Sequence, residues 1–129
     1  MNYFNLDVMP GITGIVGPNG AGKSTFFKLV TGMIRANVGE LQVLGQKPWM
    51  NTQMHAKLGL CPDFDNLSDD MTGKEFLKLS GGLHAMSGTP LDKRISEVSE
   101  IVGMTNAIGR KIGGYSKGMR QRIKIAGTI

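Results

Sequence analysis

The sequence predicts an α/β fold in two parts, a strand-bearing core followed by a helical segment. Three observations lead there. Short apolar, β-branched runs are concentrated in residues 3–61, a glycine-rich loop separates one of them from a helical pattern, and helical spacing takes over after Pro62. Strands first and helices afterwards argue for an α/β core that carries a helical insertion.

The elements follow in order. Residues 3–8 alternate, with Phe4, Leu6 and Val8 on one side and Tyr3, Asn5 and Asp7 on the other, the period of a half-buried strand. Pro10 and Gly11 turn the chain into a second run, 11–16, suited to a buried strand. A helix is expected from Lys23, because Phe26, Phe27, Leu29, Val30 and Met33 fall on helical spacing around the Gly32 stop. Residues 39–45 read as a strand through Leu41, Val43 and Leu44, while 47–54 favour neither type. Residues 58–61 read as a further buried strand ended by Pro62, which has no N–H for a ladder.

Pro62 divides the chain into 1–61 and 62–129. The stretch 64–70 is acidic and turn-forming. A helix is expected from Thr72 through Phe76, Leu77 and Leu79 to a stop at Gly81 and Gly82. Thr89, Pro90 and Asp92 signal the start of a second helix, with Thr89 as the cap. Leu91, Ile95, Val98 and Val102 then line one face up to Gly103. A third helix is expected from Ser116 through Met119, Ile123 and Ala126.

Between the second strand and the first helix stand Gly17, Pro18, Asn19, Gly20, Ala21, Gly22, Lys23, Ser24 and Thr25, which fit G-x-x-x-x-G-K-[ST] without mismatch. The glycines admit backbone conformations closed to residues with a Cβ, so that successive N–H groups turn inward and form an anion nest. A helix N-terminus at Lys23 aims its dipole and orphan amides at the same spot. Lys23 supplies a point charge for β- and γ-phosphates, and the Ser24 hydroxyl is a hard oxygen ligand suited to Mg²⁺. The pattern therefore points to a nucleoside triphosphate and Mg²⁺ as the expected ligands.

Composition sets bounds. With 129 residues, 40% hydrophobic and 19% charged, the chain suits one globular domain, and no apolar run reaches the roughly 18 residues of a membrane span. A cytosolic chain is expected. Cys61 stands alone in an apolar run, which reads as a buried structural thiol in a reducing compartment. His55 and His84 read as structural. The formal charge of +5 is uneven: Arg110, Lys111, Lys117, Arg120, Arg122 and Lys124 follow residue 101 with no acid among them. A solvated helix face and a position near bound nucleotide both fit that stretch. Nucleic acid is not expected, because no aromatic residues interleave with the charges as stacking platforms.

With the loop, the Pro62 boundary and the stretch Tyr115, Ser116, Lys117, Gly118, Met119, Arg120, Gln121, Arg122 in view, the chain resembles the nucleotide-binding domain of ABC transporters over nearly its whole length. Tyr115 to Met119 is similar to that family's signature motif in a variant often seen in exporters. The resemblance implies a P-loop NTPase core of the ABC ATPase type with an antiparallel β portion and a helical subdomain. It also implies a head-to-tail partner domain, a membrane-spanning transporter subunit, and a place on the cytoplasmic, inner face of the membrane. ATP would lie between one copy's phosphate loop and the other's signature, where Ser116 as a helix N-cap offers its hydroxyl to the γ-phosphate and Gly118 permits close approach.

The chain departs from the family's pattern in three ways. Asp63 stands where a glutamine usually senses γ-phosphate and Mg²⁺, which makes it a second candidate metal ligand beside Ser24. Lys117 and Met119 replace the glycine and glutamine of the commonest signature. The strand carrying the hydrolytic carboxylates and the switch histidine are expected beyond Ile129, so no catalytic residue is assigned within the chain. The adenine-stacking aromatic is expected upstream of Tyr3. A chain without that neighbouring strand is expected to be weakly stable or aggregation-prone. The leading function is an ATP-binding transporter subunit. A soluble ABC-type ATPase of translation or DNA repair, or a non-catalytic nucleotide-binding module, is the alternative.

Overall fold

A computed structural model describes residues 5–64 and 67–129. The anticipated strand pairing of Tyr3 and Phe4, the place of Tyr3 relative to adenine, and the turn residues Asp65 and Asn66 lie outside the described residues. The chain divides into two compact units, Met1–Leu58 and Gly59–Ile129.

In the first unit the longest element is α1 (Lys23–Val30). The run 11–16, expected as a buried strand, is not one: it forms no ladder, and Ile12 and Val16 are fully exposed. Residues 5–8 likewise form no strand. The reason is physical. A strand persists only where a neighbour takes its N–H and C=O groups, and no described residue pairs with these. The 39–45 strand reduces to one antiparallel bridge, Val43 to Gln46, closed by reciprocal bonds of 2.8 and 3.0 Å. Leu44 and Gly45 between them have φ of 51° and 73°, the two positive values of a tight type I′ turn. The 58–61 strand is also absent, and Leu60 is exposed.

The ambiguous 47–54 stretch ends in a helical turn, α2 (Thr52–His55), capped by the Asn51 side chain, which accepts from the Met54 N–H at 3.0 Å. Met54 is fully buried. Gly32, at φ +71°, ends the α1 region, and a Cβ there would collide with the Pro48 carbonyl and the His55 ring. His55 is half-buried, as a structural reading implies, though its Nε2 has no hydrogen-bond partner.

The second unit holds the core. Helices α3 (Gly73–Leu83), α4 (Gly88–Ile101) and α5 (Lys117–Ala126) pack on one another around Leu77, Ile95, Val98, Met104, Ile112, Tyr115, Ile123 and Ala126. Helix α3 begins with a complete capping box. The Thr72 hydroxyl accepts from the Glu75 N–H at 3.2 Å, and the Glu75 carboxylate accepts from the Thr72 N–H at 2.7 Å. Two more first-turn amides, those of Gly73 and Lys74, donate to the carbonyls of Arg110 and Ile108. The 107–114 loop is thereby seated on the N-terminus of α3.

Two boundaries differ from expectation. Helix α3 runs through Gly81 and Gly82 to Leu83. At Gly81 the Leu91 side chain of α4 comes so close that a Cβ would push its tip aside. Helix α4 begins two residues earlier than the Thr89 cap implies, with Ser87 at the N-cap position and no side-chain hydrogen bond closing it. Pro90 still lies in the first turn, where no intrahelical acceptor awaits its missing N–H. On α4, Ile95 and Val98 are buried, with Leu91 and Val102 packed against them, as the spacing implies.

Ile123 is completely buried among the three helices. Ile123→Ala is therefore expected to lower unfolding free energy by about 2–5 kcal/mol in urea titration. The Thr72 hydrogen bonds, backbone first, hold the Glu75 carboxyl below its ordinary value of 4.5. A folded-state value below the unfolded one adds stability that is fully present above 4.5 and is lost as pH falls through the lower, folded value. Wild type is expected to exceed Glu75→Gln in stability by a constant margin near neutral pH, and that margin should shrink as the pH drops below 4.5. Urea titrations of both proteins across that range read it.

Candidate functional site

The loop 17–25 joins an extended segment to α1 with no side-chain cap on the helix. Gly22 occupies the N-cap position in the left-handed region, φ 92° and ψ 9°, and Gly20 has φ 84°. Left-handed residues set between right-handed ones turn successive amides to one side. Among the described residues, Ala21 is the only member of 19–25 whose N–H finds an acceptor, the Pro18 carbonyl at 3.2 Å. The amides of Asn19, Gly20, Gly22, Lys23, Ser24 and Thr25 are thus not consumed by any ladder. The first intrahelical bond runs from Phe26 N–H to the Gly22 carbonyl at 2.8 Å.

Lys23 closes this ring. Its Nζ donates to the Gly17 carbonyl at 2.6 Å and to the Pro18 carbonyl at 2.8 Å, which leaves one of its three donors uncommitted. Ser24 and Thr25 are exposed, one turn into the positive end of α1. Free amides, an ammonium and a helix N-terminus converge within one short loop. Such a loop can hold a multiply charged anion without importing a counter-ion.

The stretch 115–119 divides sharply by burial. Tyr115 is buried, its hydroxyl donates to the Ala107 carbonyl at 2.7 Å, and burial pushes the phenol above its ordinary value. Ser116, Lys117 and Gly118 are exposed, and Met119 is half-buried against the core. Ser116 caps α5 through its Oγ, which accepts from the Met119 N–H at 3.3 Å. A Cβ at Gly118 would meet nothing within 4 Å. Tyr115 anchors the turn, and the next three residues present a hydroxyl, a cation and bare backbone to solvent.

Asp63 is exposed and belongs to the second unit, whereas Ser24 belongs to the first. Among the described residues no group of three or more His, Cys, Asp or Glu side chains is placed to hold a metal ion. Cys61, expected to be buried, is half-exposed, with its Sγ 3.4 Å from Gln121 Nε2. Sequence reasoning also missed two basic residues of α5 as structural ties. Arg120 donates to Asp69 Oδ1 at 2.6 Å and to the Ile112 carbonyl at 3.1 Å. Lys124 is buried, its Nζ 3.1 Å from the carbonyls of both Pro62 and Phe64. No local signal marked Lys124, which on a helical wheel lies about 100° from the buried Ile123 and nearly opposite Ala126.

The profile of the family described as ABC transporter matches residues 1–129. The chain is 35% identical over 115 residues to an uncharacterized ABC transporter ATP-binding protein of Bacillus subtilis, YxlF, covering 89% of this chain and 38% of that protein. It is 34% identical over 117 residues to Nod factor export ATP-binding protein I of Rhizobium leguminosarum, covering 90% of this chain and 38% of that protein. Against the probable multidrug ABC transporter ATP-binding protein YbhF of Escherichia coli the figures are 33% over 119 residues, 92% and 21%. The chain therefore spans well under half the length of these relatives. A solved structure described as the ATP binding subunit of an ABC transporter superposes with a TM-score of 0.70 at 23% identity, over 88% of this chain and 48% of that one. At that identity the likeness speaks for the fold, which is the α/β P-loop type.

Gly118 fills no packing requirement, since it sits in a helix with open space around it. Gly118→Ala is expected to leave the fold intact and to raise stability by up to about 1 kcal/mol, because alanine is the better helix former. A urea midpoint below wild type would assign this glycine a structural role instead.

Proposed function

The chain belongs to the ABC transporter family, and from that premise we propose that it forms the ATP-binding part of a transporter. In that protein, ATP binding and hydrolysis are coupled to movement of a substrate across a membrane. The observation that carries the reading is the loop 17–25: amides left without acceptors at the N-terminus of α1, with Lys23 drawn across their mouth. A triphosphate is the ligand whose charge and length suit it. The amides of 19–25 bind the β- and γ-phosphate oxygens, and Lys23 exchanges its carbonyl contacts for them.

The Ser24 hydroxyl, exposed in that loop, is proposed as a hard oxygen ligand for Mg²⁺, with Asp63 as the second candidate. Mg²⁺ is ordinarily held by one or two protein groups together with the phosphates, so a single hydroxyl in the phosphate loop fits it. When bound, the ion neutralises charge on the phosphate oxygens. Residues 1–61 then make up the N-terminal part of the nucleotide-binding core, and 62–129 the helical subdomain with its signature.

The exposed corner at Ser116, Lys117 and Gly118, anchored by Tyr115 and Met119, is proposed to cover the γ-phosphate bound by a second, head-to-tail domain. Ser116 contributes its hydroxyl, and Gly118 offers backbone that a ligand can approach closely. None of the 129 residues is given a role in the hydrolytic step. A membrane-spanning subunit is the proposed further partner, and the inner face of the membrane the proposed location. Among the described residues no helix is long and apolar enough to cross a membrane. The relatives named for Nod factor export and for multidrug transport support export as the direction.

Titration with ATP tests the loop. Lys23→Ala removes a charged donor, and affinity for ATP is expected to fall by about 10-fold or more. Adenosine, which has no phosphate, should bind both proteins alike. Unchanged ATP affinity in Lys23→Ala would overturn the assignment of this loop.

A further inference from the structure

Lysine is among the residues least often buried, yet Lys124 keeps only 8% of its surface exposed. Its ammonium donates to the Pro62 carbonyl and to the Phe64 carbonyl, each at 3.1 Å. Those two carbonyls flank Asp63, so one cation holds the backbone on both sides of an exposed carboxylate. About one turn earlier on the same face of α5, Gln121 Nε2 lies 3.4 Å from Cys61 Sγ.

At its start the segment also packs against the chain just past α5, where Gly59 lies close to Thr128. Residues 59–64 form neither helix nor strand, and among the described residues no backbone–backbone hydrogen bond involves any of them. Among the described residues, the polar contacts of 61–64 come from side chains of α5. That helix is ten residues long and carries Ser116 as its N-cap, about 12 Å along the axis from Lys124 at the usual rise per residue.

We propose that Lys124 is a positioning residue that straps the Asp63 segment to the helix carrying Ser116, so that the two groups keep one fixed relation to each other. This inference rests on the reading of Asp63 and Ser116 as parts of an ATP site. The strap itself does not. Without the ammonium, two partly buried carbonyls lose their donor and the segment loses its anchor, whereas the apolar core of α5, Ile123 and Ala126, stays as it is.

Cys61, the single cysteine of the chain, lies within the strapped segment and serves as its probe. In the 129-residue chain, Lys124→Met is expected to speed labelling of Cys61 by Ellman's reagent by about tenfold. Lys124→Arg, which keeps charge and donors, should restore most of the wild-type rate. A second readout is the ratio of affinities for ATP with and without Mg²⁺. Lys124→Met should lower this ratio to the level of Asp63→Asn, and the double variant should fall no further than either single one. Unchanged labelling in Lys124→Met overturns the strap, and so do additive losses in the double variant. If Asp63→Asn alone leaves the ratio at its wild-type value, the role given to Asp63 fails, and the labelling rates decide the strap by themselves.

Discussion

To receive an anion, a loop must keep its backbone amides clear of protein acceptors, and among the described residues the loop 17–25 maintains a row of such amides. This constraint explains its composition. The two left-handed glycines prevent the turn from relaxing into a continuous helix, which would begin to consume the amides it now presents. Lys23 donates to the Gly17 and Pro18 carbonyls, which stitches the loop closed without using any of its amides. The same ammonium that stabilises the ring is thus the charge available to a phosphate. A lysine serves here because its head is a compact charge on a flexible stem.

The second unit answers a different demand, which is to hold an exposed corner steady. Helix α5 does so by dividing its surface. Ile123 and Ala126 face the core, Arg120 and Lys124 reach sideways to neighbouring loops, and the N-terminal turn stands free. Tyr115 fixes the point of entry, buried and bonded to the Ala107 carbonyl. The tyrosine ring also explains Gly73: a Cβ there would collide with the phenol oxygen, so the first turn of α3 must lack one. Loop 107–114, α3 and the α5 corner are therefore one packed arrangement, and the exposed serine inherits its rigidity from groups that never touch solvent.

How much of this was legible in the sequence follows from how local each cause is. The start of α1 after the glycine loop, the start of α3 at Thr72 and the Ser116 cap each depend on residues within a few positions of one another, and the sequence pattern located all three. The strands at 11–16, 39–45 and 58–61 were read from apolar, β-branched runs, but a ladder is a property of two segments, and no described residue supplies the second. The stop read at Gly81 failed for a related reason. Glycine there adjoins Leu91 of another helix, a contact that no local pattern reveals.

The basic tail carries this reasoning one step further. Read as composition, six cations after residue 101 are equivalent, and the natural choices were a solvated face or proximity to nucleotide. The structure separates them. Lys117 and Arg122 are exposed, Lys111 lies 3.7 Å from Asp70, and Arg110 donates to the Gly114 carbonyl of its own turn. Arg120 and Lys124 instead spend their charge on carbonyls and, for Arg120, on a carboxylate. Within α5 both lie on the sides of the buried Ile123 row, where a long stem can pass over apolar neighbours and deliver a donor to backbone beyond. Their position relative to the core face, more than their sign, therefore decides whether a cation here meets a ligand or holds the scaffold that presents one.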